Sequence, residues 1–189
     1  MEKERFKELA LDYSRWVKQS CRNKFVGDTL LPIIDKAYVK HSSDVKGFEE
    51  QSNAFINNIQ NWGALSEARA LYYGLAIENA CKARLIFDGV VESDGDKIIH
   101  LRTDHDIEGM VRQLGVSSPP DEPEFLKLLT YQTQVLSKYP IAKNRKKQKE
   151  FTGRALGARP IEGLITHDII FQILRHKELQ DLYKKYSEI

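Results

Sequence analysis

The 189-residue sequence has only two cysteines, Cys21 and Cys81, and no CxxC pair. It therefore has neither a disulfide framework nor the usual ligand spacing of a zinc site, and we expect both residues to be plain thiols. No apolar run approaches the roughly 20 residues that a membrane helix needs. Residues 1–7 are mostly charged, and no apolar signal core follows them. These absences predict a cytoplasmic protein without membrane spans.

Motifs that mark common enzyme classes are also missing. The sequence has no GxxxxGK or GxGxxG phosphate loop, no HExxH zinc motif and no G-x-S-x-G nucleophile turn. Residues 94–96 (DGD) lack the further acidic ligands and closing glutamate of a calcium loop. His100 and residues 104–106 (DHD) are rich in metal-ligand types, but an acidic loop before a capped helix explains them without a metal. We expect neither a metal nor a cofactor.

Apolar residues recur at three- and four-residue steps through most of the chain, which is the periodicity of amphipathic helices. The predicted helices are Glu2–Arg22, Thr29–His41, a segment over about residues 48–59 that ends before Gly63, Ala64–Phe87, a short helix from Thr103 or Asp104 to about Leu114, Glu124–Lys138 and Ile161–Tyr186. Pro32 is expected in a first helical turn, and a short strand-like piece is expected at Lys97–Leu101. The pattern predicts an all-α antiparallel bundle of about six or seven helices in one domain over residues 1–189.

Ala64–Phe87 is expected to be the central helix, because it lacks proline and has many alanines that permit close helix packing. Glu78 and Asn79 interrupt its apolar pattern. One interpretation is structural, since Lys82 follows Glu78 at the favourable spacing for a helical ion pair. The other is that Glu78 and Asn79 line a polar groove between helices.

The net charge of +2 is the sum over a chain that has one acidic and one basic segment. Residues 88–124 carry ten acidic and three basic residues, and residues 143–159 carry seven basic residues and one acidic residue. The basic side chains proposed to bind nucleic acid are Lys143, Arg145, Lys146, Lys147, Lys149 and Arg154. Basic side chains bind phosphates without sequence preference, and the nearby Tyr139 and Phe151 are candidates to stack on bases. Two solvated loops, or segments that meet in self-association, remain alternatives.

Three segments resemble the HEPN superfamily, in the order that the family has. Residues 72–83 (YYGLAIENACKA) resemble its long core helix, in which an aromatic and small-residue run precedes a glutamate and a Lys-Ala pair. Residues 105–115, which begin with HDI and end with LG, resemble the short element that follows. Residues 128–140, which end in Lys-Tyr-Pro, resemble the later helix. The resemblance covers about residues 64–140.

The resemblance implies an all-helical bundle that commonly dimerises. Many HEPN proteins are metal-independent endoribonucleases of toxin, phage-defence or RNA-processing systems, and others are inactive binding or assembly modules. Active members use an arginine and a histidine separated by four to six residues, supported by a polar residue of the core helix, a place that Glu78 and Asn79 match. Here the nearest arrangement is Arg159 and His167, which have seven residues between them. They are expected to act together only if Pro160 bends the chain.

Three hypotheses follow. The first is a HEPN-like module that binds RNA or another single-stranded nucleic acid in a prokaryotic defence or toxin–antitoxin setting. The second is a metal-independent endoribonuclease that uses Glu78, Asn79, Arg159 and His167. Such an enzyme needs an acid or base for the 2′-hydroxyl group or the leaving oxygen, and a cation for the phosphate. The third is an assembly protein that acts as a homodimer or through a protein partner.

Overall fold

The computed structural model describes residues 2–44, 53–99, 105–116, 122–136 and 161–188. In these ranges the chain forms seven α-helices and one two-stranded hairpin, which confirms the predicted all-α bundle. The elements are α1 (Glu2–Ala10), α2 (Tyr13–Asp44), α3 (Asn53–Phe87), β1 (Glu92–Ser93), β2 (Ile98–Ile99), α4 (Ile107–Gln113), α5 (Glu122–Tyr131), α6 (Ile161–Ile173) and α7 (Lys177–Ser187). None of the described helices is both long enough and apolar enough to cross a membrane.

The two longest helices, α2 and α3, pack against each other in opposite directions. The pairs that show this direction are Tyr13 with Phe87, Ser20 with Ala76 and Gly27 with Arg69. The hydroxyl group of Ser20 donates to the carbonyl oxygen of Ala76 at 2.8 Å. Such a bond requires close backbone approach, and the alanines of α3 permit it.

Helix α3 lies at the centre of the bundle, as the sequence predicted. From Ala76 to Ile86 every residue except Lys82 is buried, and α2, α4, α5 and α6 all contact the helix. The predicted end at Asp88-Gly89 is confirmed, since Gly89 has a φ of +70°. The predicted break before Gly63 is wrong. Helix α3 runs through Gly63 because only the small helix-propensity cost of glycine opposes it, and no atom of the described residues from neighbouring elements lies within 4 Å of where a Cβ atom would be.

The predicted helix Glu2–Arg22 is divided at Leu11 and Asp12. Asp12 accepts a hydrogen bond from the backbone N–H of Ser14 at 3.0 Å, which starts α2. The indole nitrogen of Trp16 donates to the carbonyl oxygen of Ala10 at 3.3 Å, at the end of α1. Side-chain hydrogen bonds thus satisfy backbone groups at the end of α1 and the start of α2. The chain can therefore break here although the apolar periodicity continues across the break.

The predicted start of a separate helix at Thr29 is also wrong, since Pro32 lies inside α2 rather than in a first turn. Proline has no N–H to donate to the carbonyl group of Asp28 one turn earlier. Helix α2 continues because the packing of residues on both sides of the proline, including the buried Gly27 and Ile34, offsets one missing hydrogen bond.

The last predicted helix, Ile161–Tyr186, is likewise two helices, α6 and α7. Arg84 of α3 donates to the carbonyl oxygen of Ile173 at 3.2 Å, which satisfies an acceptor at the end of α6. The chain turns at Leu174–His176, and the ring of His176 packs on Phe87 with 5.0 Å between centroids. This turn brings α7 back against α2.

The N-cap of α4 is Asp106, whose side chain accepts from the N–H of Gly109 at 3.0 Å. The proposed caps Thr103 and Asp104 lie outside the described residues. The stop at Gly115 is confirmed by its φ of +64°. The strand-like piece predicted near Lys97–Leu101 is confirmed in part, because Ile98 and Ile99 pair with Ser93 and Glu92.

Helix α5 continues as a π-helical turn, Gln132–Leu136. The hydroxyl group of Thr133 donates to the carbonyl oxygen of Leu129 at 2.9 Å, and its methyl group lies close to Gly74 of α3. The predicted helix Glu124–Lys138 is therefore helical through residue 136 but changes its hydrogen-bond pattern at Gln132.

Candidate functional site

A groove runs along one face of α2, where α6 and α7 pack against that helix. It consists of two cavities of about 420 and 390 Å³ that share Lys24, Asp28 and His167. The first cavity is also lined by Lys18, Arg22, Phe25, Tyr183 and Tyr186, and the second by Leu31, Arg69, Gly163 and Leu164. Lys18 to Leu31 spans about 20 Å of α2 at 1.5 Å per residue. We call this feature the α2–α6–α7 groove.

Helical spacing explains why α2 supplies so many groove residues. Lys18, Arg22, Phe25 and Asp28 follow one another at steps of three or four residues, which places them on one face of a helix. Helix α7 brings two tyrosines to the opposite wall by the same spacing. The groove is continuous because α2 is unbroken between Arg22 and Leu31, where the sequence predicted two separate helices.

A chain of hydrogen bonds lies under the groove. Arg69, which is fully buried, donates to the hydroxyl oxygen of Tyr73 at 2.7 and 3.1 Å and to the carbonyl oxygen of Gly27 at 3.2 Å. The hydroxyl group of Tyr73 in turn donates to Asp28 Oδ1 at 2.8 Å. Lys24 donates to Asp28 Oδ2 at 2.6 Å. Burial and the Asp28 carboxylate raise the pKa of Tyr73, so its hydroxyl group stays protonated and remains a donor.

Two glycines allow the helices to close around this chain. A Cβ atom on Gly27 would lie 2.5 Å from the Tyr73 ring. A Cβ atom on Gly163 would lie 2.9 Å from the Tyr73 hydroxyl oxygen and 3.1 Å from Asp28 Oδ1. Real Cβ contacts are longer, so any side chain at these positions would push α2 or α6 away from α3.

His167 lies where the two cavities meet and is exposed. Its Nδ1 atom is 3.4 Å from the hydroxyl oxygen of Tyr183, and its ring packs against Tyr183 with 5.7 Å between centroids. Burial raises the pKa of Tyr183, which keeps that hydroxyl group neutral. The predicted partner Arg159 lies outside the described residues, and the described arginines that share a cavity with His167 are Arg22 and Arg69.

Positive charge dominates the first cavity. Lys18, Arg22 and Lys24 face a single carboxylate among the described lining residues, that of Asp28. Lys24 is paired with this carboxylate, which leaves the charges of Lys18 and Arg22 to attract an anion. The Lys18 ammonium group also lies 5.6 Å from the ring centroid of Tyr186. The first cavity therefore combines cations from α2 with aromatic rings from α2 and α7.

The structure places Glu78 and Asn79 elsewhere. Glu78 is 2% exposed, and it accepts a hydrogen bond from Lys82, which confirms the predicted ion pair. Asn79 donates to the carbonyl oxygen of Leu75 at 2.7 Å, within its own helix. Neither residue is among the described lining residues of the α2–α6–α7 groove.

A second charged cluster forms around Glu78. His105 Nδ1 lies 3.0 and 3.1 Å from its two carboxylate oxygens, and a carboxylate can only accept, so the imidazole proton is on Nδ1. His105 has a φ of +56°, an uncommon backbone conformation for a residue with a side chain. Among the described residues, His, Cys, Asp and Glu side chains form no group of three that could hold a metal ion. His100 and Asp104 lie outside those residues.

Both cysteines are buried and free, as predicted. Burial raises the pKa of Cys21, which lines the first cavity, and of Cys81. A thiol that stays protonated is a poor nucleophile. The groove therefore lacks the features of a cysteine hydrolase in its described lining.

Of the residues proposed from the sequence, only His167 is found in the groove among the described residues. The basic residues Lys143, Arg145, Lys146, Lys147, Lys149 and Arg154 lie outside the described residues, as does Arg159. Sequence reasoning missed Lys18, Arg22, Lys24, Asp28 and Arg69. Four of them lie on one face of α2, and the gap between the predicted helices Glu2–Arg22 and Thr29–His41 divided that face, whereas Arg69 comes from α3 and reaches the groove only through the tertiary fold.

Comparison of the chain with models of known protein families finds no match. No curated protein and no solved structure is significantly similar to it either. The site is therefore interpreted from its own residues.

Proposed function

We propose that the α2–α6–α7 groove binds single-stranded nucleic acid, with RNA as the natural ligand. The observation that carries the proposal is the combination, along about 20 Å of one helix, of cations with exposed or groove-lining aromatic rings. Phe25 is 64% exposed although it is a large apolar side chain, and Tyr186 lies beside Lys18. Sequence-tolerant single-strand sites combine the same two groups, since cations track phosphates and rings stack on bases.

The proposal connects the groove with the basic segment of residues 143–159. Arg159 precedes Gly163 by four residues in the chain, and Gly163 lines the second cavity. The seven basic residues of this segment therefore precede Gly163 by 4 to 20 positions in the sequence, and we propose that they contact the same strand. Phosphate contacts in the groove and in the basic segment would add to one salt-dependent affinity.

The test is fluorescence anisotropy with labelled RNA and single-stranded DNA of about 12 nucleotides, in EDTA, over a series of salt concentrations. Lys18→Glu combined with Arg22→Glu is expected to weaken RNA binding at least ten-fold at low salt. The slope of log affinity against log salt should become shallower by about 1.4, because each lost phosphate contact contributes about 0.7 for a single strand.

The matched control is Arg5→Glu combined with Lys7→Glu, which reverses two exposed charges on α1, outside the groove. This control changes the net charge equally and should leave most of the affinity. Equal losses in the two double variants would mean that only net charge matters, and an unchanged affinity in the groove variant would refute the site. Reversal of Arg145, Lys146, Lys147 and Lys149 together tests the basic segment in the same assay.

One observation favours a second function, metal-independent cleavage of RNA. His167 is exposed at the junction of the cavities, near Lys24 and Arg69, and its Nδ1 atom is within reach of Tyr183. A histidine can transfer the proton of a 2′-hydroxyl group or of the leaving oxygen, and neighbouring cations can stabilise the charge on the phosphate. Arg69 is fully buried and bonded to Tyr73, so this second candidate uses Lys24, which lines both cavities with His167, in the place expected for Arg159.

Cleavage is tested with the same RNA in EDTA. His167→Ala should abolish cleavage and retain binding, whereas His176→Ala, at the turn before α7, should retain both. A strand with a 2′-deoxy substitution at the cut position should not be cleaved. If purified protein leaves every RNA intact, or if His167→Ala cleaves at the wild-type rate, the catalytic assignment fails and the binding function stands alone.

A further inference from the structure

Asp28 is the one carboxylate among the described lining residues of both cavities. An anion in a groove that attracts phosphates weakens their binding through like-charge repulsion, unless it faces hydrogen-bond donors of the ligand. Its side chain is 44% exposed and lies where the cavities meet, so a ligand in either cavity reaches it. A position of this kind suits recognition of a base rather than of the backbone.

The carboxylate is held from two sides. The hydroxyl group of Tyr73 fixes Oδ1 at 2.8 Å, and that hydroxyl group is itself fixed by the buried guanidinium group of Arg69. Lys24 fixes Oδ2 at 2.6 Å. A carboxylate has about four acceptor positions, so one on each oxygen remains for a ligand. The group is thus preorganised as a pair of acceptors with an ammonium group beside it.

We infer that the Asp28–Lys24 pair recognises the Watson–Crick edge of a guanine. This inference rests on the proposed binding of single-stranded nucleic acid. Guanine presents two adjacent donors, N1–H and the 2-amino group, which can donate to the two carboxylate oxygens of Asp28. Its O6 atom lies on the other side of N1–H and can accept from the ammonium group of Lys24. Adenine and cytosine place an acceptor ring nitrogen beside their amino donor, and uracil has one donor between two acceptors, so each would set an acceptor against the carboxylate.

The wild-type protein is tested with a series of otherwise uridine-only RNA strands that carry one central guanosine, inosine or adenosine. Inosine lacks only the 2-amino group. The guanosine strand should bind about ten-fold or more tightly than the inosine and adenosine strands, in line with the discrimination that a bidentate base contact provides. Free guanosine monophosphate should displace the labelled guanosine strand at lower concentration than adenosine monophosphate does. Displacement by the free nucleotide would show that the base is recognised without the rest of the strand.

Asp28→Asn should remove the preference for guanosine, so that the guanosine, inosine and adenosine strands bind this variant within two-fold of one another. The matched control is Asp181→Asn, which changes an exposed aspartate that is likewise paired with a lysine one turn away. Wild-type affinities within two-fold for all three strands would overturn the inference without any variant. Tight binding of every strand alike would overturn guanine recognition only, whereas no binding of any strand would overturn the proposed function itself.

Discussion

The hydroxyl group of Tyr73 donates a hydrogen bond of 2.8 Å to Asp28, which joins the middle of α3 to the middle of α2. On the α3 side the same oxygen accepts from the buried guanidinium group of Arg69. One hydroxyl group therefore lies between a buried cation and a partly exposed anion. It contributes to the stability of the bundle and to the geometry of the groove at the same time.

Tyr73→Phe should lower the free energy of unfolding by about 1.5–3 kcal/mol, because the hydroxyl group takes part in hydrogen bonds to charged partners. The measurement is urea unfolding followed by circular dichroism. Tyr183→Phe is the matched control, since the Tyr183 hydroxyl group meets His167 only at 3.4 Å and should contribute less than about 1 kcal/mol. Equal effects of the two changes would contradict a special role for the Arg69–Tyr73–Asp28 chain.

Gly27→Ala should destabilise the protein by about 1–3 kcal/mol, as over-packing of a close contact does. The new methyl group would lie 2.5 Å from the Tyr73 ring. Gly63→Ala is the control on α3, where the part of the chain that the structure describes leaves the space within 4 Å of the added carbon open. It should stabilise by about 0.5–1 kcal/mol, because alanine is the better helix former. Thermal unfolding of both variants gives the comparison, and opposite signs are expected.

Helix type and the central place of α3 were predictable because periodic apolar residues and alanine-rich packing are local signals. Helix ends were not predictable in the same way. The break at Asp12 depends on Trp16 reaching back to Ala10, and the end of α6 at Ile173 depends on Arg84 of α3. These are side-chain contacts between elements, and the hydrophobic pattern of either helix alone does not contain them.

His167 was predictable as a candidate because histidine is a common proton-transfer group. Its neighbours were not, since Lys24 and Arg69 are distant in sequence and meet it only through the packing of α2, α3 and α6. The i and i+4 spacing of Glu78 and Lys82 did predict their ion pair. The approach of His105 to the same carboxylate required the tertiary fold.

Asp12 should make stability depend on pH in the acid range. Burial acts to raise the pKa of Asp12, but the hydrogen bonds from Ser14 and Arg15 outweigh it and hold the pKa below 3.8. The unfolded chain therefore binds this proton more readily, so the contribution is present above about pH 3.8 and is lost as the pH falls through the lower folded value. The Asp12 side chain is 38% exposed, so solvent screening keeps the contribution below about 1 kcal/mol.

The measurement for Asp12 is the difference in unfolding free energy between wild type and Asp12→Asn. Asparagine keeps the capping ability and removes the charge, which isolates the titration. The difference should be largest near neutral pH and shrink as the pH falls below 3.8. A difference that is constant over this range would show that the carboxylate charge contributes nothing.

Glu78 and Lys82 should have a large interaction energy in a double-mutant cycle, because their ion pair is shielded from water. The exposed fractions of the two side chains are 3% and 12%. Glu78→Gln should cost about 2–4 kcal/mol, since it leaves a largely buried ammonium group without its anion. Glu78→Gln combined with Lys82→Met should cost less than the sum of the two single changes, because the double variant has neither buried charge.

Glu108 and Arg112 form the control pair for this cycle, with the same spacing of four residues on α4. Arg112 is 78% exposed, so Glu108→Gln should cost less than about 0.5 kcal/mol. Both cycles are measured by urea unfolding at neutral pH. If Glu78→Gln proved as mild as Glu108→Gln, burial would not strengthen the interaction between Glu78 and Lys82.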